Sequence, residues 1–251
     1  MISIIGIQNL PTFESVRSSL NRRRAMLFPD VPRDIQQVLV NGVWALTLRN
    51  QMYLMQQNNN RGMLIFATDE DIRALSRCDE IFLDGTFKTS PFPYTQFYTI
   101  HGTFMDHTLM FASGLFTNKD EQTYTYFLTE IKQRIHVLTG IVWAPRRAVI
   151  DFEVAAKNAI LAVFPGIDID GCFFHFCEAI FRNVQREGLA VAYRDEDDFR
   201  QIIRMLMGLA FIPLAFVRNQ YNIIRHDPAT IQMIAVHPRL LKLLTYPKAM
   251  V

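Results

Sequence analysis

The sequence predicts a mixed α/β fold in which antiparallel strands come first and parallel strands follow, joined by helical crossovers. Three features point to it. Two apolar, strand-like runs, Ile81-Phe82-Leu83 and Ala148-Val149-Ile150, each end in an aspartate, Asp84 and Asp151. Between them lie two long β-rich stretches, 95–104 and 107–116, joined near Met105-Asp106 as a hairpin. After the hairpin, Tyr124, Phe127, Leu128, Ile131, Ile135 and Leu138 recur at spacings of three and four, the period of an amphipathic helix over 120–138.

The remaining elements follow in chain order. Residues 1–45 form a lead-in: a short helix over 13–20, the basic knot Arg22-Arg23-Arg24, then Pro29 and Pro32, which restrict themselves and their predecessors. Two short strands are expected at 43–48 and 51–55, with a polar loop at 56–62 and another strand at 63–67. Thr68 suits an N-cap, and Asp69, Glu70 and Asp71 suit the positive start of a helix running to Ser76. A strand over 80–87 carries Asp84. Beyond the amphipathic helix come a strand at 147–151, an alanine-rich helix at 153–163 stopped by Pro165, a fifth strand at 167–174 and a helix at 175–186 ended by Gly188. The order β-β-β-α-β-α-β-α is that of an RNase H-like core. A helix over 195–209 and weaker helices beyond Pro213 complete the chain. The expected division is a strand-containing lead-in at 1–78, the RNase H-like core at 79–190 and a helical insertion at 191–251.

Composition narrows the class. The 251 residues are 50% hydrophobic and 20% charged, enough for a sizeable core and too apolar for a disordered chain. The net charge of +2 does not announce a nucleic-acid partner, so any such surface must be a local patch. Three cysteines form no even framework, which favours a reduced, intracellular compartment. No apolar run reaches the ~18–20 residues of a membrane span. The apolar start, Met1 to Ile7, lacks a basic segment and is broken by Asn9 and Pro11, so no signal peptide is expected.

A carboxylate at the end of a buried strand is costly unless a cation meets it. In isolation, Asp84 before Gly85 suits a turn and Asp151 suits an N-cap. Paired on neighbouring strands, they suit a hard divalent cation and two-metal phosphoryl transfer on nucleic acid.

Asp84-Gly85-Thr86-Phe87, Tyr98-Thr99-Ile100-His101-Gly102, Asp151-Phe152-Glu153 and Gly171-Cys172-Phe173-Phe174-His175-Phe176 together resemble the MULE (Mutator-like element) transposase domain. Ile65-Phe66-Ala67-Thr68 ahead of the first aspartate and Phe211-Ile212-Pro213 after the helical insert extend the resemblance over residues 20–217 or so. It implies a cut-and-paste DDE transposase using Mg²⁺ or Mn²⁺, nuclear, acting on DNA at transposon ends. A homo-oligomer is compatible with that role. Asp84 and Asp151 match the first two acids of the triad. Cys172 and His175 match the superfamily's Cys-x2-His element. The alternative is a catalytically inactive, domesticated domain that binds DNA or protein; a further rival is a nuclease without transposition.

The third acid is open. Glu187 has 35 residues between it and Asp151 but sits at the end of its helix. Glu178, in the first turn, is better placed, although surface charge favourable to the helix dipole explains it better than catalysis does. In the family the glutamate follows the insertion, and the nearest match here is Tyr246-Pro247-Lys248. Either lysine occupies that position or the glutamate lies beyond the chain's end. Zinc is not expected at Cys172 and His175, because structural sites take four ligands. Cys177 lies two residues past His175 on a helix and should point elsewhere. A packed cysteine and a hydrogen-bonded histidine suit the pair, with His175 lining the site because the fifth strand is expected beside the Asp84 strand. Lys88, just after that strand, and Arg22, Arg23 and Arg24 are candidate phosphate contacts.

Overall fold

The computed structural model describes residues 11–26, 28, 32–86 and 90–245. Seven strands form one mixed sheet: β1 (Leu54–Asn58), β2 (Met63–Phe66), β3 (Glu80–Thr86), β4 (Gln96–Phe104), β5 (His107–Phe116), β6 (Arg147–Ile150) and β7 (Asp168–Gly171). Their spatial order is β1-β2-β5-β4-β3-β6-β7. Neighbours are antiparallel from β1 to β3, and β3/β6 and β6/β7 are parallel. The five strands β5-β4-β3-β6-β7 are the predicted RNase H-like core, and the lead-in adds β1 and β2 to its β5 edge.

The β4–β5 hairpin closes on two residues with positive φ, Met105 at 48° and Asp106 at 62°. That geometry matches the twist of paired strands. Alternation then assigns the faces. Ile81 and Leu83 of β3, Tyr98 and Ile100 of β4, and Ala148 and Ile150 of β6 enter the main core. Three helices cover that face: α2 (Asp69–Leu75), α3 (Glu121–Thr139) and α4 (Val154–Val163). Thr68 and Asp71 form the predicted cap of α2 as a reciprocal capping box. Asp120 caps α3, and Gly140, at φ 73°, ends it. Phe82, Asp84 and Val149 alternate with the buried residues and belong to the opposite face.

That opposite face meets α5 (Phe173–Arg186). Ile180 and Val184 of α5 join a second core with α6 (Ala190–Asp195), α7 (Asp197–Gly208), α8 (Leu214–His226), α9 (Pro228–Val236) and α10 (Leu240–Thr245). Phe199, Ile203, Leu240 and Leu244 are fully buried there. The long helix α5 therefore joins sheet and helical lobe.

Several local expectations are corrected. Residues 42–45 form a 3₁₀ turn rather than a strand, with a single bridge between Leu46 and Met52. The pairing strand begins at Leu54 and takes in the first three residues of the expected polar loop, because Gln56, Gln57 and Asn58 pair with β2. Side-chain polarity at a sheet edge does not prevent backbone pairing. The fifth strand ends at Gly171, and α5 starts at Phe173 with Cys172 as its N-cap. The helix expected over 195–209 is α7, and a further short helix, α6, precedes it and is parted from it at Glu196. Helix α1 (Phe13–Ala25) is longer than predicted and buries no residue.

Candidate active site

Asp84 and Asp151 occupy equivalent positions on adjacent parallel strands. Leu83 and Ile150 are the last partners in register between β3 and β6, and each aspartate is the next residue. The chain then turns: the Glu153 amide donates to Asp151 Oδ1 at 3.2 Å before α4 begins. Burial raises the Asp151 pKa; the Glu153 amide and His175 oppose the shift, and Asp84's charge adds to it. The two carboxylates are thus electrostatic neighbours. Asp84 Oδ1 is buried and has no hydrogen-bond partner among the described residues.

His175 reaches Asp84 from the first turn of α5, with Nε2 3.6 Å from Oδ1. The structure brings His175 to Asp84, but not for the reason expected: β7 lies beside β6, not beside the Asp84 strand. A helix starting two residues after β7 leans back over β6 and carries the imidazole across. Cys172 N donates to Ile150 O at 2.6 Å, which ties the start of α5 to the strand bearing Asp151. Burial raises the Cys177 pKa, and the Cys172 charge adds to the rise. Cys172 at an N-cap, rather than in a strand, puts the two within the same helical turns.

A buried polar chain backs the acids, and sequence reasoning missed it. Tyr124 Oη lies 2.9 Å from Gln96 Oε1 and 2.9 Å from Glu153 Oε2. A hydroxyl has one proton, which serves the carboxylate. Gln96 is fully buried with Nε2 unpartnered, so its amide is better turned to donate Nε2 to Tyr124. Burial raises the Glu153 pKa, Tyr124 opposes the rise, and Asp151 adds to it. The signal for Glu153 was its place two residues after Asp151, ahead of a helix. Tyr124 read as a core residue because it occupies the apolar stripe of α3. His101 on β4 is also part of the surroundings: burial lowers its pKa and Asp84's charge works against that.

The other candidates lie apart. Glu178 Oε1 accepts from Arg182 Nη2 at 2.6 Å on the same helix. Glu187 caps the end of α5, with its carboxylate 3.8 Å from Arg186 Nε. Arg22, Arg23 and Arg24 form the last turn of α1, where Arg24 sits 5.7 Å over the Phe28 ring. Lys88 and Lys248 lie outside the described residues. Among the described residues, no three His, Cys, Asp or Glu side chains are grouped closely enough to share one metal ion. None of the described helices is long and apolar enough to cross a membrane.

No curated protein matches the chain. The family model of the MULE transposase domain matches residues 80–179, from the first residue of β3 to the middle of α5. That span holds Asp84, Asp151, Cys172, His175 and Glu178 and stops before the helical lobe. Residues 80–179 of this chain are a MULE transposase domain.

Proposed function

We propose that this transposase domain cleaves and transfers DNA strands at transposon ends by metal-dependent phosphoryl transfer, and that its place of work is the nucleus. One observation carries the reading: Asp84 and Asp151 end adjacent parallel strands in register, next to one another electrostatically. The donor set fits Mg²⁺ or Mn²⁺. Both side chains offer hard oxygen, and Asp84 Oδ1 is buried without a partner among the described residues. Magnesium is commonly held by one or two carboxylates, with waters and substrate phosphate oxygens completing its shell. Two carboxylates are therefore a sufficient protein contribution.

Asp84 and Asp151 would hold the cation. Bound there, it would promote ionisation of the attacking water or 3′-hydroxyl and stabilise charge on the leaving oxygen. His175 steadies the Asp84 carboxylate from α5, and the Tyr124–Glu153 bond fixes the turn that presents Asp151. Glu178 contributes only by leaving Arg182. The test is Mn²⁺-dependent nicking and joining of a library of terminal-repeat duplexes by purified protein. Activity that disappears in Asp84→Ala supports the reading; activity unchanged in that variant, or no metal-dependent cleavage by the wild type, rejects it.

A further inference from the structure

Beside the acids, on the face of the sheet that carries Asp84 and Val149, lies a cavity of about 690 Å³ between β6, β7 and the helical lobe. That size falls within the ~300–1,000 Å³ typical of pockets that enclose a small organic ligand. Half-buried Phe176 and Tyr221 line it beside three more exposed rings, Phe152, Phe173 and Phe211. The latter three are 62%, 43% and 72% exposed, so each shows much of its ring to solvent.

These rings are held in place. Phe152 lies against Gly171, where an added Cβ would stand 2.8 Å from its Cε1 and Cζ. Only glycine leaves that ring its seat. Phe173 and Phe211 pack together with ring centroids 4.6 Å apart. Their positions tie the cavity to the acids. Phe152 follows Asp151, and Phe173 precedes by two residues the His175 that stands 3.6 Å from Asp84. Polar atoms are few. Asn183 and Tyr221 supply some, and the one basic side chain in the lining, Arg147, is paired with both Asp170 and Glu80. With two carboxylates on its guanidinium, Arg147 offers a phosphate little net positive charge. A flat, uncharged ring with a polar edge fits the lining on every count.

We propose that this cavity receives an unpaired nucleobase of the DNA substrate, stacked among Phe152, Phe173 and Phe211 with its edge toward Asn183 and Tyr221. The proposal rests on the nuclease reading of the neighbouring acids. A base drawn out of the duplex next to the scissile phosphate explains why exposed aromatics stand beside carboxylates. Sequence-tolerant stacking of this kind is how aromatic side chains hold unpaired bases.

The experiment measures binding of the purified chain, in Ca²⁺, to three fluorescein-labelled duplexes by anisotropy: fully paired, with one bulged adenine, and with one bulged abasic residue. Stacking predicts that the adenine bulge binds about 5- to 150-fold more tightly than the abasic bulge. Phe211→Ala and Phe152→Ala should remove that preference, and Phe211→Trp should keep it. Equal affinity for the two bulges overturns the base site, as does a preference that survives both alanine variants. If the chain binds all three alike yet nicks paired DNA with Mn²⁺ in an Asp84-dependent way, the base site falls and the nuclease reading stands. If it binds none of them, both fall. Self-association in sedimentation that Phe211→Ala abolishes, without a base preference, would make the cavity a contact between copies and overturn the proposal.

Discussion

His175 Nε2 stands 3.6 Å from Asp84 Oδ1, although the two side chains belong to a helix and a strand with β6 between their lead-ins. The contact makes α5 part of the site. The same helix buries Ile180 and Val184 in the second core. Any shift of the helical lobe on the sheet must therefore change the surroundings of Asp84.

Divalent cations should stabilise the fold. Two neighbouring carboxylates repel one another until a cation neutralises them, and a ligand that binds only the native state raises its stability by about 2.7 kcal/mol at 100 times its Kd. Calorimetry with Mg²⁺ and with Mn²⁺ should show a rise in Tm for the wild type and none for Asp84→Asn combined with Asp151→Asn. An equal rise in both proteins would place the cation elsewhere.

In the presence of chelator, Asp151→Asn should make the protein more stable at neutral pH. Burial raises the Asp151 pKa in the folded state above its unfolded value. Between those two values the folded state binds more protons than the unfolded one, so ionisation works against folding as pH rises. No penalty exists below the unfolded carboxylate range, and it is complete above the folded pKa. The gain from Asp151→Asn should thus be present at pH 7 and shrink toward pH 3 in thermal denaturation. A gain independent of pH would show that charge at Asp151 is not its source.

The core strands were legible because each carries its own signal. Asp84 and Asp151 terminate apolar runs, and alternation over 95–104 and 107–116 marks a hairpin whose turn falls at Met105-Asp106. The lead-in was less legible. Gln56, Gln57 and Asn58 look like a loop, and only pairing with β2, itself laid on β5, makes them a strand. At the site, the approach of His175 depends on where β7 ends. Phe173 and Phe174 extend an apolar, β-like run, so the sequence lengthens the strand. In the fold they open α5 instead, with Cys172 as N-cap. Glu153 and Tyr124 escaped notice for another reason. They lie 29 residues apart, and nothing local links a helix-stripe tyrosine to a turn glutamate.

Tyr124→Phe should cost about 1 kcal/mol of stability, the usual worth of an intramolecular hydrogen bond. The ring keeps its packing against Tyr98 and Phe116, so the loss isolates the hydroxyl that serves Glu153. In a Glu153→Leu background the same substitution should cost less. Urea denaturation of the four proteins of this cycle gives the coupling directly. Zero coupling would mean that the hydroxyl and the carboxylate act independently.

Met105→Asn should stabilise the hairpin by a few tenths of a kcal/mol. Met105 holds φ at 48° with its side chain exposed, a conformation that asparagine tolerates better than an unbranched apolar residue. The gain should appear in Tm without altering metal binding, because the turn closes the end of the β4–β5 hairpin away from Asp84. A fall in Tm would indicate that Met105 makes contacts worth more than the strain it bears.

His175→Ala should weaken Mn²⁺ binding, whereas Cys172→Ala should weaken it less. The argument starts from Asp84. Its Oδ1 is buried and makes no hydrogen bond among the described residues, and His175, Asp151 and His101 lie near enough to interact with its charge. Without the imidazole, nothing on α5 restrains the carboxylate, and it can rotate out of the position it needs to share a cation with Asp151. Partners that orient a ligating carboxylate typically change metal affinity by about 10–100-fold when removed. Cys172 acts through its backbone instead. Its amide donates to Ile150 O at 2.6 Å, a bond that alanine keeps. His175→Gln, which retains a donor of similar reach, should recover part of the lost affinity. Titration of Mn²⁺ by electron paramagnetic resonance separates these cases. Equal loss in His175→Ala and Cys172→Ala would mean that both act only by holding the start of α5, and unchanged affinity in His175→Ala would remove the imidazole from the metal site altogether.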